Sequence, residues 1–306
     1  MAAAAENPRD RFGLSWRPAL AAGIFEALDR IDVLELMADD HFRDGAKELR
    51  ALKTLARQRP IHLHGTGLGL ASASPPPPER VERLARLVGV VEPEAWSEHL
   101  AFVRAGNVEI GHLAAPPRSE ATLFGTAANV TRARRAIGSL PQLENVATLI
   151  DPPGSDRDEL AFVNDALRAT GAPLLLDLHN LYANAHNFGF DAQAFVAALP
   201  LERIGSVHLA GGRWCGLRDR ADSRRWLDDH LHPVPAPVFD LLEALAARSP
   251  HALTVVLERD GAYPPMAELL AELEQARAAV SRGRARRAAA EHAVSLSGSL
   301  TLARAG

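Results

Sequence analysis

The chain has one cysteine, Cys215, and two lysines, Lys47 and Lys53, among 306 residues. A single thiol excludes an intramolecular disulfide framework and any metal site built from thiolates alone, and it fits a reducing compartment. No run of about 18 apolar residues occurs, and the opening MAAAAENPRDR is too short and too polar for a secretory signal. A cytoplasmic protein with no membrane partner is expected. Excess positive charge is lacking as well: 34 Lys and Arg stand against 38 Asp and Glu, for a formal charge of -4. That balance gives no global attraction to a polyanion, so nucleic acid is not an expected partner. What is present, 47% hydrophobic and 24% charged residues, is the composition of a globular chain with a sizeable core.

Eight apolar runs of strand length alternate with amphipathic helical stretches. They are 13–16 (GLSW), 33–36 (VLEL), 60–64 (PIHLH), 95–100 (AWSEHL), 142–146 (QLENV), 173–178 (PLLLDL), 206–210 (SVHLA) and 253–258 (LTVVLE). Such alternation is the pattern of a parallel sheet wrapped by helices, and eight units over this length predict a (β/α)8 TIM barrel in the α/β class, as a single domain. A doubly wound open sheet is disfavoured because no glycine-rich phosphate fingerprint follows the first run. The expected organisation is a flexible N-terminus over 1–11, the barrel over 12–275, and an Arg/Ala-rich tail, helical or disordered, over 276–306.

Ionisable residues fall at the ends of these runs: His64, Glu98 and His99, Glu144, Asp177, His208 and Glu258. C-terminal strand ends of a parallel barrel converge on one face, so residues remote in sequence become neighbours there. Buried parallel strands normally read Val, Ile and Leu, and any one His or Glu among them is more often a satisfied core residue than a ligand. The joint pattern is a burial cost without structural return. Cations among the charges relieve it. The segment WLDDHLHP adds Asp228 and His230 at a D-x-H spacing, and the nitrogen-and-oxygen set suits iron, zinc or manganese. Two or three metal ions bridged by carboxylates, with Glu144 as the central bridge, are expected.

Around this set, Glu35 is a supporting candidate and His62 is balanced between ligand and core roles. The polar segment 177–191 (DLHNLYANAHNFGFD) is read as a loop leaving the sixth strand. In it Asn180 is a candidate to complete a metal sphere or orient a ligand, and His186 a candidate acid-base group, with His179 a further one. Cys215 is read as an inert half-buried thiol. His41, His112, His232 and His251 are read as solvated loop residues, and His292 lies in the tail.

The runs GLSWRP, LHGTGLGLASA, WSEHLAF, LENV, LLLDLHNLYANAHNFGFD, LERIGSVHLAGG, WLDDHLHPVPAPVF and VVLERD, in that order from about residue 12 to 275, resemble the multinuclear non-heme iron-dependent oxidases. That family, long catalogued only as a domain of unknown function, includes the methanobactin oxazolone-forming enzyme. The resemblance implies a TIM barrel holding two or three irons, with dioxygen as co-substrate, that modifies Cys, Asp or Asn residues of a ribosomally made precursor peptide. It implies His64, His99, Glu144, Asp177, His208, Asp228, His230 and Glu258 as iron ligands, and a separate partner protein that presents the leader peptide. The chain departs from the family pattern at Asp39 and Asp40 in MADDHF, at His179, where relatives carry Asn, and at His112. More distantly, the same strand-end set resembles the apurinic endonucleases and the divalent-metal sugar isomerases of this fold. The first would need a basic crescent and the second a Lys or His pair near its metals, and neither Lys lies on a strand end.

Overall fold

The computed structural model describes residues 9–106, 108–216 and 224–303, with the backbone alone over 294–303. Twelve strands are formed among them: β1 (Arg11–Ser15), β2 (Val33–Met37), β3 (Ile61–Gly65), β4 (Ala95–His99), β5 (Phe102–Ala105), β6 (Val108–Ala114), β7 (Gln142–Glu144), β8 (Leu174–Asp177), β9 (Ile204–Leu209), β10 (Gly212–Gly216), β11 (Arg224–Asp228) and β12 (Thr254–Leu257). Eight of them close a barrel in the order β1-β12-β9-β8-β7-β4-β3-β2, every neighbouring pair parallel. All eight runs predicted from the sequence are these barrel strands.

Period-two alternation divides each strand between two environments. Leu34 and Leu36, Ile61 and Leu63, Leu174 and Leu176, Val207 and Leu209, and Val255 and Leu257 face the helices and build the apolar core. The alternate set faces the barrel axis and, apart from Val33, Leu175 and Val256, is mostly polar: Glu35, His62, His64, Ser97, His99, Gln142, Glu144, Asp177, Ser206 and His208. The core is therefore a ring between sheet and helices, and the axis is left for chemistry.

The helices are α1 (Ala21–Glu26), α2 (Ala46–Ala56), α3 (Pro78–Val91), α4 (Glu120–Ile137), α5 (Glu159–Thr170), α6 (Leu178–Phe188), α7 (Ala192–Ala198), α8 (Ala236–Arg248) and α9 (Met266–Ala303). Side-chain oxygens of Ser119, Asp158, Asp177 and Asp191 cap α4 to α7 by accepting from otherwise unpaired first-turn N–H groups. Two antiparallel hairpins, β5–β6 after β4 and β10–β11 after β9, rise from the C-terminal ends of their barrel strands. The sequence reading assigned neither hairpin.

The boundary expected at residue 276 falls inside α9. Ala276, Ala279 and Val280 are buried, and a Cβ at Gly283 would meet Glu243 O at 2.4 Å, so α9 lies against α8 backbone to backbone. Arg284 donates to Ala246 O at 3.0 Å and to His251 O at 2.6 Å and pairs with Asp10 at 2.7 Å. Asp10 also accepts from Leu253 N, so the ordered barrel begins before residue 12, while residues 1–8 lie outside the described ones. A chain ending at Gln275 should lose more than about 2 kcal/mol, the transfer value of one buried Val with its neighbours. A chain ending at Arg287 should match the full chain within about 0.5 kcal/mol. Urea midpoints measure both, and equal midpoints for the two truncations would refute the packing role of residues 276–287.

Candidate metal centre

Every strand that reaches the barrel mouth with a charged tip does so by the same alternation. Register pairs His99 with Glu144, Asp177 with His208, and His208 with Val256, which puts imidazoles and carboxylates at one height around the axis. With the residues that follow them, the tips form three groups: His64, His99 and Glu144; Glu144, Asp177, His208 and Glu258, which shares Glu144 with the first; and His179, Asp228 and His230. Within each group the ligand-type atoms lie within 4.8 Å of one another. All eight residues predicted as ligands are brought together.

Two carboxylates join the groups. Glu144 Oε2 lies 3.3 Å from both His64 Nε2 and His99 Nε2, while its Oε1 lies 3.5 Å from His208 Nδ1. Glu258 Oε2 lies 3.1 Å from His208 Nδ1 and 3.5 Å from His230 Nδ1. Glu144 is thus shared between the first two groups, and Glu258 links the second to the third.

The imidazoles are oriented from behind. His208 Nε2 lies 2.9 Å from Glu35 Oε2, so its proton sits on that side and Nδ1 faces the centre. His99 Nδ1 lies 3.3 Å from the Gly65 carbonyl, an acceptor only, and so presents Nε2; His64 Nδ1 lies 2.8 Å from Ser97 Oγ. A carboxylate or carbonyl behind a ligating imidazole fixes its tautomer. Glu35, expected as a supporting residue, lies directly behind the His208 ring.

Asp177 shows how local structure builds the site. It ends β8 and caps α6 with no loop between: Oδ1 accepts from Asn180 N at 2.7 Å. Its Oδ2 is buried without a partner. So are Glu144 Oε2, His208 Nδ1, Asn180 Oδ1 and both ring nitrogens of His230. Unpaired buried polar atoms are costly, and here they converge on one volume. His230 also holds a left-handed backbone (φ 53°), unusual for a residue with a Cβ; its N–H donates to Gly211 O at 2.9 Å and its carbonyl accepts from Asp260 N at 3.0 Å.

Burial pushes the Glu144 carboxyl up to about 7 against the pull of His208, and burial with the Glu144 charge pushes Asp177 up to about 7. Burial keeps His64 well below the usual imidazole range and lowers His99 to about 4, leaving both in the lone-pair form that binds metals. For His208 burial acts downward, but Glu258, Glu35 and Glu144 carry it well above its ordinary value; Asp228 does the same for His230 against burial. Protons thus partly neutralise the carboxylates, a role that cations would take over. Chemically the set fits hard or borderline divalent metals: nitrogen and oxygen donors, no sulfur, and two carboxylates placed to be shared.

Over the centre lies a cavity of about 1270 Å³, lined on one side by Phe102, Val103, Leu113, Val146, Leu149 and Pro152 and on the other by Trp226, Asp228, Asp229 and His230. The two hairpins supply much of its wall. Pockets for small ligands run to about 1,000 Å³, so this one has room for a segment of chain.

Other sequence readings fare differently. Asn180 lines the cavity; its Nδ2 donates to Asn145 O at 2.9 Å, which turns the unpaired Oδ1 outward from that bond. His186 is not brought to the centre. It is exposed, with Nδ1 3.0 Å from Tyr182 O and its ring against Tyr182 and Trp214. The segment 177–191 is chiefly helix α6 rather than a loop, because Asp177 caps its start and Gly189 ends it at φ 76°. Asn180, Asn184 and Asn187 fall on one face of that helix and tie it to the backbone of 145–148 and of β11. Glu98 points away from the axis, its Oε2 accepting from Leu68 N at 3.1 Å. His62 sits a layer below the centre, 3.9 Å from Glu94. His112, read as a solvated loop residue, lies on β6 and lines the cavity, as does Asp39, which pairs with Arg80 at 3.3 Å. Cys215 is half-buried on β10. His179, a further acid-base candidate in the sequence, is buried on α6 with its partners Trp226 and Asp228 on β11.

Residues 11–281 match the family described as "RiPP precursor modification enzyme MbnB/TglH/ChrH". Among similar chains, a UPF0276 protein of Bordetella bronchiseptica is 34% identical over 274 residues, 89% of this chain and 93% of that one. A UPF0276 protein of Caulobacter vibrioides is 30% identical over 280 residues, 91% and 97% of the two. Among solved structures, an L-ribulose 3-epimerase superimposes with TM-score 0.57 at 14% identity, covering 94% of this chain and 98% of that chain. A xylose isomerase domain protein from Planctomyces limnophilus gives 0.57 at 14%, covering 92% and 99%. The structural likeness is one of barrel fold. Among the described residues no helix is long and apolar enough to cross a membrane.

Proposed function

Because the chain belongs to the RiPP precursor modification enzyme MbnB/TglH/ChrH family, we propose that it is a multinuclear non-heme iron oxidase that uses dioxygen to modify a Cys, Asp or Asn residue of a ribosomally made precursor peptide. The observation that carries this reading is the linking of three groups of ligand-type atoms through Glu144 and Glu258, with Glu144 Oε2, Asp177 Oδ2, His208 Nδ1 and the His230 ring nitrogens buried among them without hydrogen-bond partners. His64, His99 and Glu144 would hold one ion, Glu144, Asp177, His208 and Glu258 a second, and Asp228 with His230 a third. When bound, iron would supply the one-electron chemistry with dioxygen that zinc cannot.

The chain's own residues do the rest. Glu35, Ser97 and the Gly65 carbonyl hold the imidazoles in fixed orientations, so little reorganisation is needed when a cation enters. Asn180 Oδ1, buried and without a partner, is an acceptor for a substrate N–H or a further donor to the metal. The cavity's apolar wall strips water from the peptide residue delivered to the centre, and its size admits the neighbours of that residue. A separate protein presenting the leader peptide completes the proposed system.

Purified under air, the protein should contain more than one equivalent of iron and show visible absorption that bleaches on reduction. Mixed with a Cys-containing or Asp-containing precursor peptide it should consume oxygen. Mainly zinc in the metal analysis, together with no oxygen uptake, would favour a divalent-metal hydrolase or isomerase instead.

A further inference from the structure

The third group contains a histidine whose two ring nitrogens are both committed. His179 Nε2 lies 2.8 Å from Trp226 Nε1, and His179 Nδ1 lies 2.7 Å from Asp228 Oδ1. An indole N–H can only donate, so Nε2 is the acceptor and the ring proton sits on Nδ1, where it donates to the carboxylate. A nitrogen carrying that proton has no lone pair for a cation. The ring is fully buried and closely sheathed: a Cβ on Gly212 would come within 2.8 Å of His179 Cε1, and the Trp226 ring meets it edge-on at 6.1 Å between centroids. Trp226 is itself held by its backbone, Asn187 Oδ1 accepting from Trp226 N at 2.7 Å and Asn187 Nδ2 donating to Trp226 O at 3.0 Å.

We propose that His179 is a positioning residue, locked by Trp226 into the Nδ1–H tautomer, that holds Asp228 in place for cation binding with His230 and is itself neither a ligand nor an acid-base group. Asp228 Oδ1 accepts from His179 Nδ1 at 2.7 Å and lies 3.0 Å from His230 Nε2, which has no hydrogen-bond partner, so the His179 bond sets how the carboxylate faces His230. The metal role of Asp228 and His230 rests on the function proposed above; the tautomer does not.

Two measurements separate the possibilities. In metal-free protein labelled with 15N-histidine, and assigned by comparison with His179→Asn, the His179 resonances should show a protonated Nδ1 and an unprotonated Nε2. A protonated Nε2 would overturn the proposal whether or not metal binds. In the full-length protein titrated with Co2+, His179→Ala should weaken uptake at Asp228 and His230 by about 10–100-fold, the range for loss of an outer partner. His179→Asn, whose amide N–H stands where Nδ1–H does, should recover most of that loss with the Co2+ d–d bands unmoved. Trp226→Phe should cause a smaller loss and let the second tautomer appear. Band shifts in His179→Asn would make His179 a ligand, and unweakened uptake in His179→Ala would leave Asp228 without need of it; either result defeats the inference alone. No Co2+ uptake at that group by the unmodified protein would defeat the metal reading, with the tautomer still read from the 15N spectrum.

Discussion

Glu144→Ala is expected to strip at least two of the bound metal ions while leaving the barrel folded. Its two oxygens serve different groups, Oε2 toward His64 and His99 and Oε1 toward His208, so one truncation damages two sites. The affinity loss should exceed the roughly 100-fold upper range for removing an outer partner. Folding should survive because removing a buried carboxyl also removes its desolvation cost, and because the core ring lies on the other face of the strands. Glu98→Ala is the control. Glu98 is also buried, burial and the nearby Asp39 holding its carboxyl well above the usual range, yet it faces away from the axis toward Leu68. That variant should keep its metal and lose stability instead. Metal analysis with circular dichroism measures both, and a metal-replete Glu144→Ala protein would remove Glu144 from the centre.

Metal affinity should climb steeply with pH. Glu144 and Asp177 titrate at about 7 in the metal-free protein, so below that pH a cation must displace two protons. Affinity should then fall by about tenfold per displaced proton for each pH unit, or up to about 100-fold per unit for the pair. His208 and His230, raised by the surrounding carboxylates against burial, add to the same direction. In the metal-free fold the two carboxyls act oppositely, while the lowered His64 and His99 act against them below about pH 6.5. Glu144 and Asp177 keep protons that the unfolded chain releases above about pH 4, so their contribution is full below that pH and lost as pH rises through 7. Glu258 is held well below the ordinary carboxylate range, chiefly by His208 against burial, and contributes no slope between pH 5 and 8. The gap in Tm between metal-loaded and metal-free protein should therefore widen from pH 5.5 to pH 8. A constant gap, or one that narrows, contradicts the placement of cations on these carboxylates.

The centre was legible because its residues interrupt strands that otherwise read as Val, Ile and Leu. His64, Glu144, Asp177 and His208 stand out by period two alone, and eight such runs in a row dictate the barrel that gathers them. What was hidden depended on partners distant in sequence. His179, a candidate acid-base group in the sequence, accepts at its second nitrogen from Trp226, 47 positions away. The asparagines at 180, 184 and 187 carried a signal that reading the segment as a loop missed: their spacing keeps them within about 60° on a helix, whereas His186 falls about 120° round from Asn180. That rotation is why His186 meets Tyr182 and solvent rather than the mouth. The hairpins escaped notice because β6 is exposed along most of its length and β11 is at most half-buried, so neither shows the apolar run that marks a barrel strand. Residues 276–287 were hidden by composition: alanines at 276 and 279 look peripheral, yet close approach of α9 to α8 needs small side chains there.

The central claim is that cations gather these acids and imidazoles at one rim. Anomalous X-ray scattering at the iron edge, from crystals of protein reconstituted with ferrous iron without oxygen, tests it most directly. Peaks on either side of the Glu144 carboxylate, with a third between Asp228 and His230, are the predicted result. An iron-replete crystal whose peaks lie away from Glu144, or no iron peak at the barrel mouth, would contradict it.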